Sequence, residues 1–149
     1  MIVDSRLIGT TAENMFLSLL NQRGVFAHSF DTVGFDGIAF DLQNRLFKVG
    51  ASPSYLQIKC RGSSGEQYST QGHSPETIEA IRDTARQLQI PEESLYFVVG
   101  FFRNNDIRET VYYVIPLGSL PPFRGNAQYR FSVQRCEQMV RSDPGMTKL

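Results

Sequence analysis

Residues 33–61 read VGFDGIAFDLQNRLFKVGASPSYLQIKCR, and the end of this stretch indicates the fold. From position 55 onward apolar and polar residues alternate, which is the period-2 pattern of a β-strand with one buried face. The two expected faces are Leu56, Ile58 and Cys60 toward the core, and Tyr55, Gln57, Lys59 and Arg61 on the polar side. The polar face thus places an amide, an ammonium and a guanidinium group in a row.

Two acidic residues earlier in the chain are candidates to join this polar face. Asp36 lies between Gly34 and Gly37 at the start of an expected strand, where a backbone can approach a ligand closely. Glu13 lies in an expected helix over residues 10–23, which ends at Gly24. If the Asp36 strand pairs with the Gln57 strand, these side chains converge on one point.

Each of these residues also has a simpler explanation when it is taken alone. Glu13 follows Thr10 by three positions, which is the spacing of a helix capping box. Asp36 fits an ordinary glycine-rich turn. Gln57 and Lys59 fit the solvent-exposed face of an edge strand. The occurrence of all four residues in this order favours a functional site.

This order of a helix glutamate, a strand-opening aspartate and a strand Gln-x-Lys resembles the PD-(D/E)XK nuclease superfamily, whose core is restriction-endonuclease-like. Gln57 stands where the family usually has an acid, and Phe35 where it has proline. The resemblance implies a Mg²⁺- or Mn²⁺-dependent phosphodiester hydrolase. It assigns Glu13, Asp36 and Gln57 as metal ligands, and Lys59 as the group beside the attacking water or the scissile phosphate.

The remaining chain reads as an α/β fold, with a mixed central β-sheet flanked by helices. The expected strands are 25–31, a hairpin of 35–42 with 45–49, then 55–61, 94–102, 109–117 and 128–133. Residues 62–72 are polar and glycine-rich and are predicted to form a mobile loop. Helices are expected after the cap Ser74 and over 134–142.

The length of 149 residues is typical of one domain, which we interpret as a single nuclease domain over 1–149. Its core would span residues 7–117. The resemblance assigns DNA recognition or oligomerisation to an extension over 118–149. The two cysteines have no metal-type spacing, and no apolar run predicts a signal peptide or membrane span. We therefore expect a cytoplasmic, intracellular protein.

The formal net charge is zero, but twelve of the fifteen cations are arginines. Arginine makes forked hydrogen bonds to phosphate and guanine, which is consistent with double-stranded DNA as the partner. The expected DNA-binding residues are Tyr55, Arg61, Arg103, Arg108, Arg124 and Arg130. Because one site cuts one strand, a homodimer or higher homo-oligomer is expected.

Several functions are compatible with this pattern. The arginine-rich region after Arg103 favours a sequence-specific homing or restriction-like endonuclease. The Lys59-Cys60-Arg61 triplet also resembles the Lys-x-Arg part of the motif of archaeal-type Holliday junction resolvases. Gln57 supports a third interpretation, a catalytically silent DNA-binding protein of the same fold. A fourth and weaker interpretation is a soluble interaction domain without a nucleic-acid role.

Overall fold

The computed structural model describes residues 5–32, 34–47, 53–120 and 128–149. Its helices are α1 (Ser5–Gln22), α2 (Pro75–Gln87) and α3 (Val133–Ser142). Its strands are β1 (Phe26–Thr32), β2 (Phe35–Phe40), β3 (Ser54–Gly62), β4 (Gln71–His73), β5 (Leu95–Arg103), β6 (Asp106–Pro116), β7 (Tyr129–Phe131) and β8 (Thr147–Lys148). None of the helices in these ranges is long and apolar enough to cross a membrane.

Six strands form one mixed sheet in the order β1-β2-β3-β5-β6-β8. Only the β3–β5 pair is parallel, because the chain crosses over through α2 between them. The short strands β4 and β7 form a separate antiparallel ribbon. The prediction of an α/β fold with a mixed central sheet flanked by helices is thus confirmed.

Both faces of the main sheet are covered, which explains the nearly continuous apolar run of β5. Every β5 residue from Leu95 to Phe102 is buried. Phe97, Val99 and Phe101 belong to the core cluster that includes residues of α2 and α3. Tyr96 and Val98 belong to a second cluster with Leu56, Ile58 and the apolar residues of α1.

Helix α1 begins earlier than the sequence pattern indicates. It starts at Ser5, so Thr10 lies inside the helix and the capping-box explanation for Glu13 is wrong. Its predicted end is confirmed: Gly24 adopts φ +83°, a left-handed conformation that favours glycine. The predicted cap of α2 is also confirmed, because the Ser74 hydroxyl accepts a hydrogen bond from the Thr77 amide at 3.4 Å.

The predicted hairpin after Phe35 is wrong, because β2 pairs with β1 and β3 instead. Residues 45–47 form a turn around the buried Asp41 carboxylate, which accepts the backbone N–H groups of Arg45, Leu46 and Phe47 at 2.7–2.9 Å. The last part of the predicted hairpin, residues 48 and 49, lies outside the described ranges.

The C-terminal region completes the same sheet and core. Strand β8, which the sequence did not reveal, pairs with β6. Phe131, Cys136 and Met146 are buried in the core cluster beneath α2 and α3. In addition, the predicted loop over 62–72 is shorter than expected, because β3 extends to Gly62 and β4 begins at Gln71.

Candidate active site

Asp36 and Gln57 are joined directly across strands β2 and β3. The Gly37–Leu56 pair sets the register of these strands, so Asp36 lies next to Gln57. The Oδ2 atom of Asp36 accepts the Gln57 Nε2–H at 2.9 Å and the Ile58 backbone N–H at 2.8 Å. The carboxylate is therefore held in place by two donors from one strand, and the acid expected here by the family pattern is replaced by a hydrogen-bond donor.

Helix α1 brings Glu13 to the same place. Leu17 packs on β2 at Gly37, where an added Cβ would lie only 2.8 Å from the Leu17 Cδ2 atom. Glu13 precedes Leu17 by four residues, so it lies on the same face of the helix and one turn away. The buried Tyr112 hydroxyl also fastens this turn by donating to the Ala12 carbonyl at 2.9 Å. Glycine at position 37 thus permits the close packing that sets Glu13 near Asp36.

The pKa of Glu13 responds to the charges of both Asp36 and Lys59. The pKa of Glu13 is raised to about 7: burial makes the largest contribution, the negative charge of Asp36 also raises the pKa, and the positive charge of Lys59 lowers it. The pKa of the Cys60 thiol is likewise raised to about 12, chiefly by burial and also by the negative charges of Glu13 and Asp36. Glu13, Asp36 and Lys59 therefore share one electrostatic environment.

Strand β3 lies inside the sheet and not at its edge. It is paired with β2 on one side and with β5 on the other. Gln57 is only 7% exposed, and Lys59 is half-buried. The edge-strand explanation for these two polar residues is thus wrong. Buried polar side chains need partners, and Gln57 finds one in Asp36.

The donor set fits a hard divalent cation. In the described part of the chain, no group of three or more His, Cys, Asp and Glu side chains could hold a metal. Two carboxylates, Glu13 and Asp36, nevertheless lie close enough for Asp36 to raise the pKa of Glu13. Mg²⁺ takes one or two carboxylates and retains several waters. Gln57, whose side-chain amide nitrogen donates to Asp36, also carries a neutral amide oxygen.

Two polar residues next to Lys59 were missed by sequence reasoning. Gln71, only 2% exposed, donates from Nε2 to the Gly100 carbonyl at 2.7 Å and to the Lys59 carbonyl at 3.3 Å. Its Oε1 atom lies 2.8 Å from the His73 Nε2 atom. The sequence predicts a loop at Gln71, and no spacing in the sequence indicates that this side chain reaches the backbone of β3 and β5. These hydrogen bonds attach the β4–β7 ribbon to the main sheet next to Lys59.

His73, which is bonded to Gln71, is neutral near pH 7. Its ring makes an edge contact with Phe97, with ring centroids 5.2 Å apart. The pKa of His73 is lowered to about 4, chiefly by burial and in addition by the positive charges of Lys59 and Arg61. Because the Gln71 amide nitrogen donates to carbonyls, its oxygen accepts from His73, which places the ring proton on Nε2.

The predicted DNA-binding residues occupy different environments. Arg61 and Arg130 are exposed. Arg108 is bonded to Asp106 through two nitrogens at 2.9 and 3.0 Å, and Arg103 stacks over the Tyr68 ring at 5.0 Å. Tyr55 packs between the rings of Phe30 and Phe35, with centroids at 5.8 and 5.5 Å. Arg124 lies outside the described ranges.

Comparisons with known proteins identify the fold. No family model matches the sequence, and no curated protein matches it significantly. The structure is similar to that of Hjc, a Holliday junction resolvase from the hyperthermophilic archaeon Archaeoglobus fulgidus, with a TM-score of 0.53 and 15% identity. The match covers 87% of this chain and 88% of the resolvase. The expected α/β fold with a restriction-endonuclease-like core is therefore confirmed.

Proposed function

We propose that this protein is a Mg²⁺-dependent endonuclease that hydrolyses phosphodiester bonds of double-stranded DNA. The observation that carries the proposal is the Asp36 carboxylate, fixed by Gln57 and Ile58 and electrostatically coupled to Glu13 on a nuclease-type fold. Lys59 belongs to the same group of residues. It lies on β3 two residues after Gln57, and its positive charge lowers the pKa of Glu13. These are the residue types that phosphodiester hydrolysis requires.

A divalent cation bound by Glu13 and Asp36 would activate a water molecule and neutralise charge on the phosphoryl oxygens. Asp36 is suited to this role because its hydrogen bonds fix the carboxylate before any ligand arrives. Lys59, as an ammonium group, would donate a hydrogen bond to the scissile phosphate or to the attacking water and offset the negative charge that develops there. Gln57 adds no charge, so the site holds two carboxylates instead of three, and we propose a single firmly bound cation.

The test is Mg²⁺-dependent cleavage of plasmid DNA and of a synthetic four-way junction, with Mn²⁺ as a second metal. Lys59→Met preserves side-chain length but removes the charge, and should abolish cutting while DNA binding persists. Lys148→Met is a matched control, because Lys148 lies on β8 and is bonded to Glu137 of α3 and not to the acid pair. Cutting by Lys59→Met at the wild-type rate would refute the proposed role of Lys59.

Two substrate classes remain, and each has its own support. The structural similarity to a resolvase, together with the Lys59-Cys60-Arg61 triplet, favours branched DNA. The exposed Arg130 on β7 supports the sequence-specific, homing or restriction-like alternative, although Arg108 is already bonded to Asp106. Cutting of the junction without cutting of its linear arms would identify a resolvase. Cutting of a linear randomised duplex at one recurring sequence would identify the alternative.

A catalytically silent DNA-binding protein is the third possibility, and Gln57 is its support. Such a protein would bind duplex or junction DNA equally with and without Mg²⁺ and cut neither. We further propose that the active form is a homodimer, because each site cuts one strand and a symmetric substrate requires two sites. Light scattering of the free protein and of its junction complex tests this stoichiometry.

A further inference from the structure

A cleft of about 360 Å³ opens beside the acid pair and is not used by the chemistry described above. It lies between α1, the end of β3 and the hairpin that joins β5 to β6. The lining residues that carry the argument are Gly9, Cys60, Arg61, Ser63, Ser64 and Asn105. The cleft therefore begins where the Lys59 strand ends.

The cleft lies one helical turn from Glu13 and begins one residue after Lys59. Gly9 and Glu13 are four residues apart on α1, so they share one face of the helix. The Cys60 thiol lines the cleft and is close enough to Glu13 and Asp36 for both charges to raise its pKa. The cleft is therefore a neighbour of the candidate active site on both α1 and β3.

The far wall of the cleft is fixed by backbone hydrogen bonds. The Ser63 N–H donates to the Phe102 carbonyl, and the Asn105 N–H donates to the Ser63 carbonyl, each at 3.0 Å. The Asn104 N–H donates to the Gly65 carbonyl, also at 3.0 Å. Within the turn, the Ser63 hydroxyl accepts the Gly65 N–H at 3.1 Å. The first part of the predicted mobile loop is therefore attached to the β5–β6 hairpin, and the wall is formed in the free protein.

The chemistry of the lining fits a phosphate group. It offers the exposed guanidinium of Arg61, the serine hydroxyls of Ser63 and Ser64 and the amide of Asn105, and none of the described lining residues is acidic. Arginine and hydroxyl groups are typical donors to phosphate oxygens. Arg61 lies two residues beyond Lys59, or about 7 Å along the strand, which is comparable with the separation of neighbouring phosphates in a nucleic-acid strand.

We propose that this cleft is a phosphate-binding subsite, which holds the phosphodiester backbone of the substrate strand next to the scissile phosphate. The identity of the ligand rests on the proposed nuclease function. The subsite itself goes beyond that function, because it assigns binding to Gly9, Ser63, Ser64 and Asn105. It reads the backbone and not the bases, so it serves both substrate classes.

Gly9 allows this proposal to be tested by charge alone. A Cβ atom added at Gly9 would meet no atom within 4 Å, so a longer side chain can be accommodated there. In Gly9→Glu a carboxylate enters the mouth of the cleft, whereas in Gly9→Gln a neutral side chain of the same shape does so. Both replacements favour a helix more than glycine does, so both variants are expected to fold.

The measurement is the affinity for a fluorescein-labelled four-way junction and for a linear duplex, with Ca²⁺ in place of Mg²⁺ to prevent cutting. Gly9→Glu should weaken binding about fivefold relative to Gly9→Gln. Arg61→Gln should weaken binding similarly and reduce the salt dependence by about one phosphate contact. Equal affinities of Gly9→Glu and Gly9→Gln would overturn the proposal.

Inorganic phosphate separates a backbone site from a site for a free phosphate. If the cleft holds the backbone, millimolar phosphate should not displace DNA from the wild type. Displacement from the wild type but not from Gly9→Glu would overturn the assignment to the backbone. The two proposals also fail differently. A wild type that never cuts DNA, but shows the Gly9→Glu effect, refutes the nuclease and leaves the subsite intact.

Discussion

The Asp36 carboxylate accepts a hydrogen bond from the Gln57 side-chain amide at 2.9 Å, across the β2–β3 pair. An acid at position 57 would instead face Asp36 as a like charge. The glutamine therefore makes the site stable without a cation, whereas a carboxylate there would require one.

Gln57→Glu tests this relationship. Because the variant buries a third carboxylate beside Asp36 and Glu13, we expect the free energy of unfolding to fall by about 2 kcal/mol without metal. Mg²⁺ should restore most of the loss, and the affinity for Mg²⁺ should rise about tenfold. Thermal denaturation with and without Mg²⁺ measures both effects. Gln138→Glu on the exposed face of α3 is the control. A loss that Mg²⁺ does not reverse would contradict the prediction.

Glu13 should give the stability of the protein a characteristic pH dependence. Its pKa is raised from 4.5 to about 7, so between these values the folded protein keeps a proton that the unfolded chain has lost. The free energy of unfolding should thus decrease as pH rises through this window, by about 1 kcal/mol after allowance for solvent screening. Glu13→Gln should remove this contribution. Urea denaturation at pH 5 and pH 8 measures it, and parallel profiles of the two proteins would contradict it.

His73 should give the free energy of unfolding a pH dependence of the opposite sign. Its pKa is lowered from 6.5 to about 4, so the unfolded chain takes up a proton first as pH falls. The free energy of unfolding should therefore decrease between about pH 6.5 and pH 4. In the wild type the Glu13 and His73 contributions partly cancel. His73→Gln should reveal the Glu13 slope alone, and an unchanged profile in this variant would show that His73 titrates normally.

Gln71 should be essential for the attachment of the β4–β7 ribbon. Gln71→Glu removes the two donors to the Gly100 and Lys59 carbonyls and places a buried charge against them, which should cost about 3 kcal/mol. Guanidinium denaturation measures the loss. The exposed Gln138→Glu is again the matched control and should change stability by less than about 0.5 kcal/mol. Equal effects of the two substitutions would refute the proposed role of Gln71 in attaching the ribbon.

Asp41 should stabilise the turn that replaces the expected hairpin. It accepts three backbone N–H groups, whereas Asp143 accepts one, from Gly145 at 2.9 Å. We expect Asp41→Ala to cost about 3 kcal/mol and Asp143→Ala about 1 kcal/mol. Despite the opposing effect of burial, these donors lower the pKa of Asp41. The Asp41 contribution should thus be lost on acidification below pH 4, and an equal cost of both substitutions would contradict the prediction.

Much of the fold follows from local patterns, because these depend on neighbouring residues alone. Alternation defined β3, the continuous apolar run defined β5, and Ser74 with Pro75 defined the start of α2. The predicted hairpin after Phe35 was wrong because the Asp41 carboxylate accepts the backbone N–H groups that a second strand would need for pairing. The sequence pattern does not show these hydrogen bonds. Strand β8 is only two residues long, too short for any periodic signal.

The sequence by itself determined which chemical groups are present in order: a helix glutamate, a strand-opening aspartate and a strand Gln-x-Lys. Only the tertiary structure decided that they meet. The crossover through α2 places β5 beside β3 and buries Gln57, and the β2–β3 register aligns Gln57 with Asp36. The packing of Leu17 on Gly37 brings in Glu13. Side-chain alternation reports which face a residue is on, but strand neighbours and register depend on contacts between distant residues.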